Sequence, residues 1–492
     1  MHLARAAFAL LLLPSTACVA VLDDTGASVW KDGSGTFDVD VRVDTLLANV
    51  VTVHVEVNGT LYPLSLAQGS WSGTAPVDDC AAALAVRYRV EYDPLSGPNA
   101  VAWTPPQGSL HYPVLGVNPR SCTPYFWVDD TVDGSDANPG DGICATASRT
   151  PKCTLRAAIE EANALPGLQH VGFFSNQTIN GQITISDDLF LDGNGRRVQV
   201  AYGRFFDVVG AGTDVTLDDV HLDGGNSGTS PGGQIKNAGR LRILGSYLEN
   251  GHCSGYAGAG GSIHNVGFLQ IEDSTLAYHS SGRRGGALFN EGDARIYRSS
   301  LHHNETAAQH GGAIEQDGGE LWIESTTLAE NVAAAKGGAI NVESGTVFMR
   351  NATVAYNEAD WAGGISMLQQ PETFYLSNSI VSLNISTDPT TRACIGFIES
   401  LGHNVIESVD PAECTIHPYL EQSDTIGTAL APVLPALYQD VFDPWGYSPG
   451  GILLDAGAPG VNEASPPDCG RRDQRGTERT AGACDIGAVE AP

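Results

Sequence analysis

The sequence predicts an all-β chain built around a right-handed parallel β-helix, and three observations carry that prediction. First, a glycine-opened block recurs five times over residues 260–384: GGSIHN from Gly260, GGALFN from Gly285, GGAIEQ from Gly311, GGAINV from Gly337 and GGISML from Gly363. The intervals are 25, 26, 26 and 26 residues. Second, apolar residues alternate inside a block, as in Leu321-x-Ile323 and Val347-x-Met349, which is strand periodicity. Third, each block closes on an aliphatic residue with asparagine three positions on: Leu301 and Asn304, Leu328 and Asn331, Val354 and Asn357, Val381 and Asn384. A period of this length means stacked units. Strands pairing one coil apart at about 4.8 Å give a solenoid of about nine or ten coils.

The repeated residues explain the corners. A glycine pair permits backbone conformations and close approaches that a Cβ forbids. A repeated asparagine both donates and accepts, so Asn250, Asn304, Asn331, Asn357 and Asn384 are expected to stack as a structural ladder along the axis. These residues are assigned no chemistry.

In chain order, residues 1–20 place Arg5 before the apolar run 6–13 and small residues around Ser15-Thr16-Ala17-Cys18, which is a secretion signal too short to span a membrane. Residues 21–122 alternate as strands, with Val51, Val53, Val55 and Val57 and then Val86, Tyr88, Val90 and Tyr92 separated by turns such as Asn58-Gly59. An immunoglobulin-like β-sandwich is expected there. Residues 123–167 hold an acidic loop and one amphipathic helix, capped by Thr154 and apolar at Leu155, Ala158, Ile159, Ala162 and Leu165. Laid over the open end of a solenoid, it would cover unpaired strand edges. The β-helix is expected over 168–415 and a closing unit, covering the other end, over 416–492.

Composition points outside the cell. Against 57 acidic residues stand 26 basic ones, a net charge of −31 that disfavours nucleic acid as a partner. No transmembrane span is predicted. Of ten cysteines, eight pair by proximity as Cys80–Cys122, Cys144–Cys153, Cys394–Cys414 and Cys469–Cys484, leaving Cys253 alone and Cys18 in the leader.

Several stretches resemble known families. Ser15-Thr16-Ala17-Cys18 resembles the lipobox of bacterial lipoproteins, with Ser15 where that group has leucine, and the resemblance implies lipidation at Cys18. Cys153-Thr154-Leu155-Arg156-Ala157-Ala158-Ile159, after the Pro-Gly-Asp-Gly loop, resembles the CSLREAI-type opening motif of secreted bacterial β-helix proteins. The Gly-Gly-Ala-Ile and aliphatic-x-x-Asn elements are similar to the repeats of polymorphic outer-membrane proteins. Asp473-Gln474-Arg475-Gly476 with Cys484-Asp485-Ile486-Gly487-Ala488 looks like the choice-of-anchor closing unit of that group. Together these imply a secreted or surface-held β-helix, an outer-membrane lipoprotein among the options, acting in adhesion.

Candidate sites follow from the alternation. If Leu321 and Ile323 point inward, Trp322 points outward, and Arg295, Phe348 and Tyr375 occupy the same column on neighbouring coils, 27, 26 and 27 residues apart. Aromatic rings on a rigid face suit a glycan or a protein surface ligand. A second column precedes the glycine pairs, Arg284, His310 and Lys336, with Glu291, Asp317 and Glu343 six residues beyond the first glycine. Adjacent His302 and His303 are not expected to share a proton. Asp130, Asp133, Asp136 and Asp141 crowd the acidic loop, and their hard oxygens suit Ca²⁺, the one cofactor suggested. No catalytic residue is assigned. Recognition or adhesion through the solenoid face is the leading function; a polysaccharide lyase or hydrolase of pectate-lyase-like fold and a structural envelope protein stay open.

Overall fold

A computed structural model of the chain describes residues 125–367, 373–387, 393–407, 413–418, 424–426, 473–475, 479 and 484–489, with the strands of the first 123 residues. The chain divides into two compact units, 1–123 and 124–492.

The first unit is antiparallel β. Strand order runs Cys18–Asp23, Thr36–Leu46, Ser70–Pro76, Thr60–Ala67, Ala48–Val57, Ala83–Pro94 and Leu110–Leu115, with Val29–Trp30 joining the last in parallel. Split after the fourth strand, this is the ABED and CFG order of an immunoglobulin-type sandwich. Alternation fixes the buried side: Val53, Val55 and Val57 face Val90, Tyr88 and Val86 across the ladder, all buried. His54, Glu56, Arg89 and Glu91 between them are half-buried. The Asn58-Gly59 turn, Cys80, Cys122, Cys469 and most of the leader lie outside the described residues; Cys18 opens the strand Cys18–Asp23.

The second unit is a parallel β-solenoid of about eight turns, fewer than the nine or ten expected. Its first rung is Tyr125–Val128 on Gln169–Phe173. Between them comes the helix Leu155–Ala164, N-capped by the Thr154 side chain, which accepts from Ala157 N at 3.1 Å. Leu155, Ala158, Ile159 and Ala162 join the solenoid core. Arg156 clamps three segments at once: it forks onto the Asp133 carboxylate and donates to the carbonyls of Asn180, Gly181 and Gln182, each at 3.0 Å. The Cys144–Cys153 disulfide ties the acidic loop to the helix start. Glu161, fully buried, accepts from the amides of Gly140 and Gly142, both at positive φ. An acid on the buried side of a helix thus replaces the turn's missing donors' partners.

Six successive coils add a short strand, from His252–Cys253 to Ile385–Ser386, in a six-stranded sheet beside the main one. Inward residues form unbroken apolar columns, such as Leu248, Leu276, Leu301, Leu328, Val354, Val381 and Ile406, all 0–1% exposed. The glycine pairs have divided roles. Gly311 sits at φ +68, while a Cβ on Gly312 would stand 2.1 Å from the Gly338 carbonyl oxygen of the next coil. The first glycine makes the left-handed corner and the second lets two backbones touch. In the fifth block the register slips by one: Gly363 follows Gly338, and Ala362, at φ +55, takes the corner.

The asparagine ladder runs His279, Asn304, Asn331, Asn357 and Asn384. The amide nitrogens of Asn304, Asn331 and Asn357 each donate to the next side-chain oxygen at 2.8–3.0 Å, and that of Asn384 to the Val354 carbonyl. Asn250 is not in it: it stands one residue earlier, exposed, at φ +59, and donates to Asp223 Oδ1, while Gly251 N donates to His279 in the ladder position. A second amide ladder, Asn237, Asn265, Asn290 and Gln316, links coils at 2.7–2.8 Å at the other corner. Asn265, Asn290 and Gln316 close the blocks that open at Gly260, Gly285 and Gly311.

Of the closing unit, Asp473–Arg475, Arg479 and 484–489 are described. They lie against the side of the solenoid: Ala488 N donates to Thr353 Oγ1 at 3.0 Å, Gly487 N to Asn378 O at 2.8 Å, and Gln474 accepts from Thr327. Arg479 holds the segment through the Asp485 and Gly487 carbonyls. Cys484 is disulfide-bonded, and Cys394–Cys414 joins neighbouring late coils.

Candidate functional site

Two outward columns of the solenoid carry the side chains singled out in the sequence. In the first, register sets Arg295 beside Trp322, Trp322 beside Phe348 and Phe348 beside Tyr375. The rings stack face to face, Trp322 on Phe348 at 4.1 Å and 14°, Phe348 on Tyr375 at 4.9 Å and 11°. All four residues are half-buried, and the column's earlier members Phe190, Thr216, Arg242 and Gln270 are buried. Arg295 turns aside, its guanidinium 5.4 Å over Phe268. Stacking along the axis uses ring faces within the column, so a ligand alongside meets ring edges, the positive rim of the π-system.

The second column lies at the glycine corner. Ala259, Arg284, His310 and Lys336 are joined by parallel bridges, and Lys336 pairs onward with Trp361. The acidic row is brought within reach one coil on: Arg284 Nη1 bonds Asp317 Oδ2 at 3.0 Å, and His264 Nε2 meets Glu291 Oε2 at 2.5 Å. Between the rows runs an outward column of one strand face: His264, Phe289, Glu315, Asn341 and Ser366.

Glu315 breaks the pattern. It is wholly buried, accepts from Asn341 Nδ2 at 3.1 Å through Oε2, and leaves Oε1 without a hydrogen bond, 3.9 Å from Arg284 Nε. Burial pushes its carboxyl up to about 8, offset only in part by Arg284 and Asn341. At neutral pH it is therefore an acid holding its proton, and its contact with Arg284 is not an ion pair. Arg284 gives its charge to Asp317 instead. Beside it, burial and the cations Lys336, Arg284 and Arg283 push the His310 imidazole down to about 4, so it is neutral at pH 7. Neither Glu315 nor Trp361 stood out in the sequence, since one outward acid and one aromatic after a turn look like any solvated pair.

The acidic loop disperses its carboxylates. Asp130 accepts from the amides of Thr131 and Val132, Asp133 from Arg156 and Asn180 N, Asp136 from Asn138 N and Ala145 N, and Asp141 from Ile143 N. Among the described residues no three His, Cys, Asp or Glu side chains converge on one point. His302 and His303 do meet, contrary to expectation: their Nδ1 atoms are 2.9 Å apart because His303 turns left-handed at φ +53, and its Nε2 reaches Glu330 at 2.6 Å. Cys253 is buried and free, its thiol pushed up to about 12 by burial, which leaves it an inert packing residue.

Fold and side chains define a parallel β-solenoid with two distinct lateral surfaces, one aromatic and one mixed-charge. Among the described residues no helix is long and apolar enough to cross a membrane. The chain matches no family model, no curated protein and no solved structure.

Proposed function

We propose that this chain is a recognition protein of the cell exterior, adhesive in role, that holds a glycan on the side of its solenoid through Arg295, Trp322, Phe348 and Tyr375. The observation that carries this reading is the three-ring stack in one register column, a preformed apolar strip on a rigid frame. Ring edges favour oxygen-rich surfaces, and a frame of paired strands spends little ordering entropy on binding. Disulfides at Cys144–Cys153 and Cys394–Cys414, the acidic composition and the apolar leader support export, with Cys18 as the lipid anchor of an outer-membrane lipoprotein.

The second reading is polysaccharide cleavage. It draws on two groups at the glycine corner, Glu315, which holds its proton at pH 7, and His310, which is neutral there. Full burial of the Glu315 carboxyl argues for recognition instead, since a general acid must reach the bond it protonates.

A glycan array with the exported chain and its Trp322→Ala, Phe348→Ala and Tyr375→Ala variants tests the proposal, with ultraviolet detection of unsaturated uronides. Binding lost in the variants without product is the expected result. Product formation would transfer the site to the glycine corner. Native binding unchanged in all three variants would sink the strip as the site, and silence on the array with capture of a surface protein would make the ligand a protein.

A further inference from the structure

The glycine-corner wall has features that the aromatic strip lacks. Along one register column stand Arg284, His310, Lys336 and Trp361, successive coils lying about 4.8 Å apart. Two exposed rings bracket the cations: Tyr256, 89% exposed, under Arg283 at 5.6 Å, and Trp361, 52% exposed, under Lys336 at 5.7 Å. Among the described residues neither ring stacks on another ring, unlike Trp322 and Phe348. Nor does Lys336 meet a carboxylate there, in a chain whose net charge is −31. The neighbouring strand contributes Glu315, with one carboxyl oxygen buried and lacking a hydrogen bond. Arg284 and Lys336 stand two coils apart, about 10 Å, with neutral His310 between them, and cations at that interval between rings open to sugars fit a polymer that repeats a negative charge at a similar spacing.

We propose that this wall is a second binding site, separate from the aromatic strip, and that it takes an acidic polysaccharide. Arg284 and Lys336 face its carboxylate or sulfate groups, neutral His310 stands between them, and Tyr256 and Trp361 stack on sugar rings at either end. Arg284 is the adjustable member. Around it lie Asp317 at 3.0 Å and Glu315 at 3.9 Å, with His310, Lys336 and Arg283 along the wall and Asn341, Asp317 and Glu343 facing Glu315. At neutral pH Glu315 is protonated, and Arg284 answers to one carboxylate. Above about pH 8 it answers to two, and its hold on an anionic ligand weakens.

Calorimetric titration of the full chain with a polyuronate oligomer, a sulfated glycan oligomer and a neutral glucan of equal length tests this site. One or both acidic oligomers are expected to bind and the neutral one not, with affinity falling as salt rises. Lys336→Glu and Trp361→Ala each lower affinity about tenfold, the loss of one charge-assisted contact or one stacking platform. Trp322→Ala leaves it unchanged, which separates this site from the recognition strip. Affinity falls between pH 7 and 9 in the native chain and stays level in Glu315→Gln. Because Lys336 and Trp361 lie at the surface, circular dichroism checks that these variants keep the fold, and the salt dependence of the native chain is a readout free of substitution. Which acidic oligomer binds identifies carboxylate or sulfate as the charge. Equal binding of the neutral glucan, no acidic binding, or native affinity in both Lys336→Glu and Trp361→Ala would overturn the proposal.

Discussion

The aromatic strip and the glycine-corner wall are both outward columns on the same coils, yet they differ in what neighbouring rungs do for one another. Along Trp322, Phe348 and Tyr375 each ring completes the next, so the repeat is self-satisfying. Along Arg284, His310 and Lys336 like-signed or neutral groups stand side by side, and the repeat needs carboxylates from other columns, Asp317 above all. Repetition that satisfies itself stabilises the frame, whereas repetition that does not leaves interactions for something else to complete. The wall is also where burial drives two groups, Glu315 and His310, away from their ordinary protonation.

The largest test strikes what both columns share. Gly312→Ala places a Cβ 2.1 Å from a carbonyl oxygen and 2.7 Å from Val332 backbone, with no flexible side chain to yield. Denaturant unfolding should show a loss of about 3 kcal/mol or more, and both binding activities should fall together. If one survives intact, the columns do not depend on a common frame. Next in size is the pH response of Glu315. Unfolded, it loses its proton near 4.5; folded, it keeps it to about 8, so stability is fully present below pH 4.5 and falls as pH rises to about 8. The slope reaches up to about 1.4 kcal/mol per pH unit from this group, and thermal melting of Glu315→Gln should lack that component. A native curve that coincides with the variant's across the window would mean the carboxyl is ionised where it lies. Smaller again is Phe348→Ala, which strips a face from both Trp322 and Tyr375 and should cost about 1 kcal/mol in chemical denaturation. Trp361→Ala should cost nothing measurable there; equal losses would erase the distinction between the columns. Smallest is chelation: with the carboxylates of Asp130, Asp133, Asp136 and Asp141 each held by separate partners, a chelator should leave the melting temperature unmoved. A clear drop would assign Ca²⁺ to the loop.

Much of this was legible in the residues. A strict period fixed the strand class, the inward columns and the alignment of Arg295, Trp322, Phe348 and Tyr375, because parallel stacking makes sequence interval and spatial neighbour the same thing. What escaped were departures of one residue. Ala362 adopts the left-handed corner ordinarily left to glycine, so Gly363 took the wrong partner in the aligned blocks. Asn250 misses the ladder because Gly251 stands there and a histidine, His279, supplies the acceptor. Glu161 and Glu315 could not be told from solvated acids, since nothing local announces that a carboxylate will meet two glycine amides or be roofed by a neighbouring coil. The seat of Gln474 and Ala488 on the flank at Thr327 and Thr353 was not legible, since it depends on contacts over 100 residues apart in sequence.

The division of labour in the glycine pairs reaches beyond the corners. Because Gly312 rests on Gly338 and Gly286 on Gly312, one coil meets the next through an interface that hardly changes from rung to rung. A whole period, such as residues 286–311, is therefore a removable module. Its excision would rejoin like with like, shortening the molecule by a single rung and bringing Arg284 and Lys336, now separated by neutral His310, onto adjacent coils. The protein's reach, and the length of polymer it spans, are quantised by the coil.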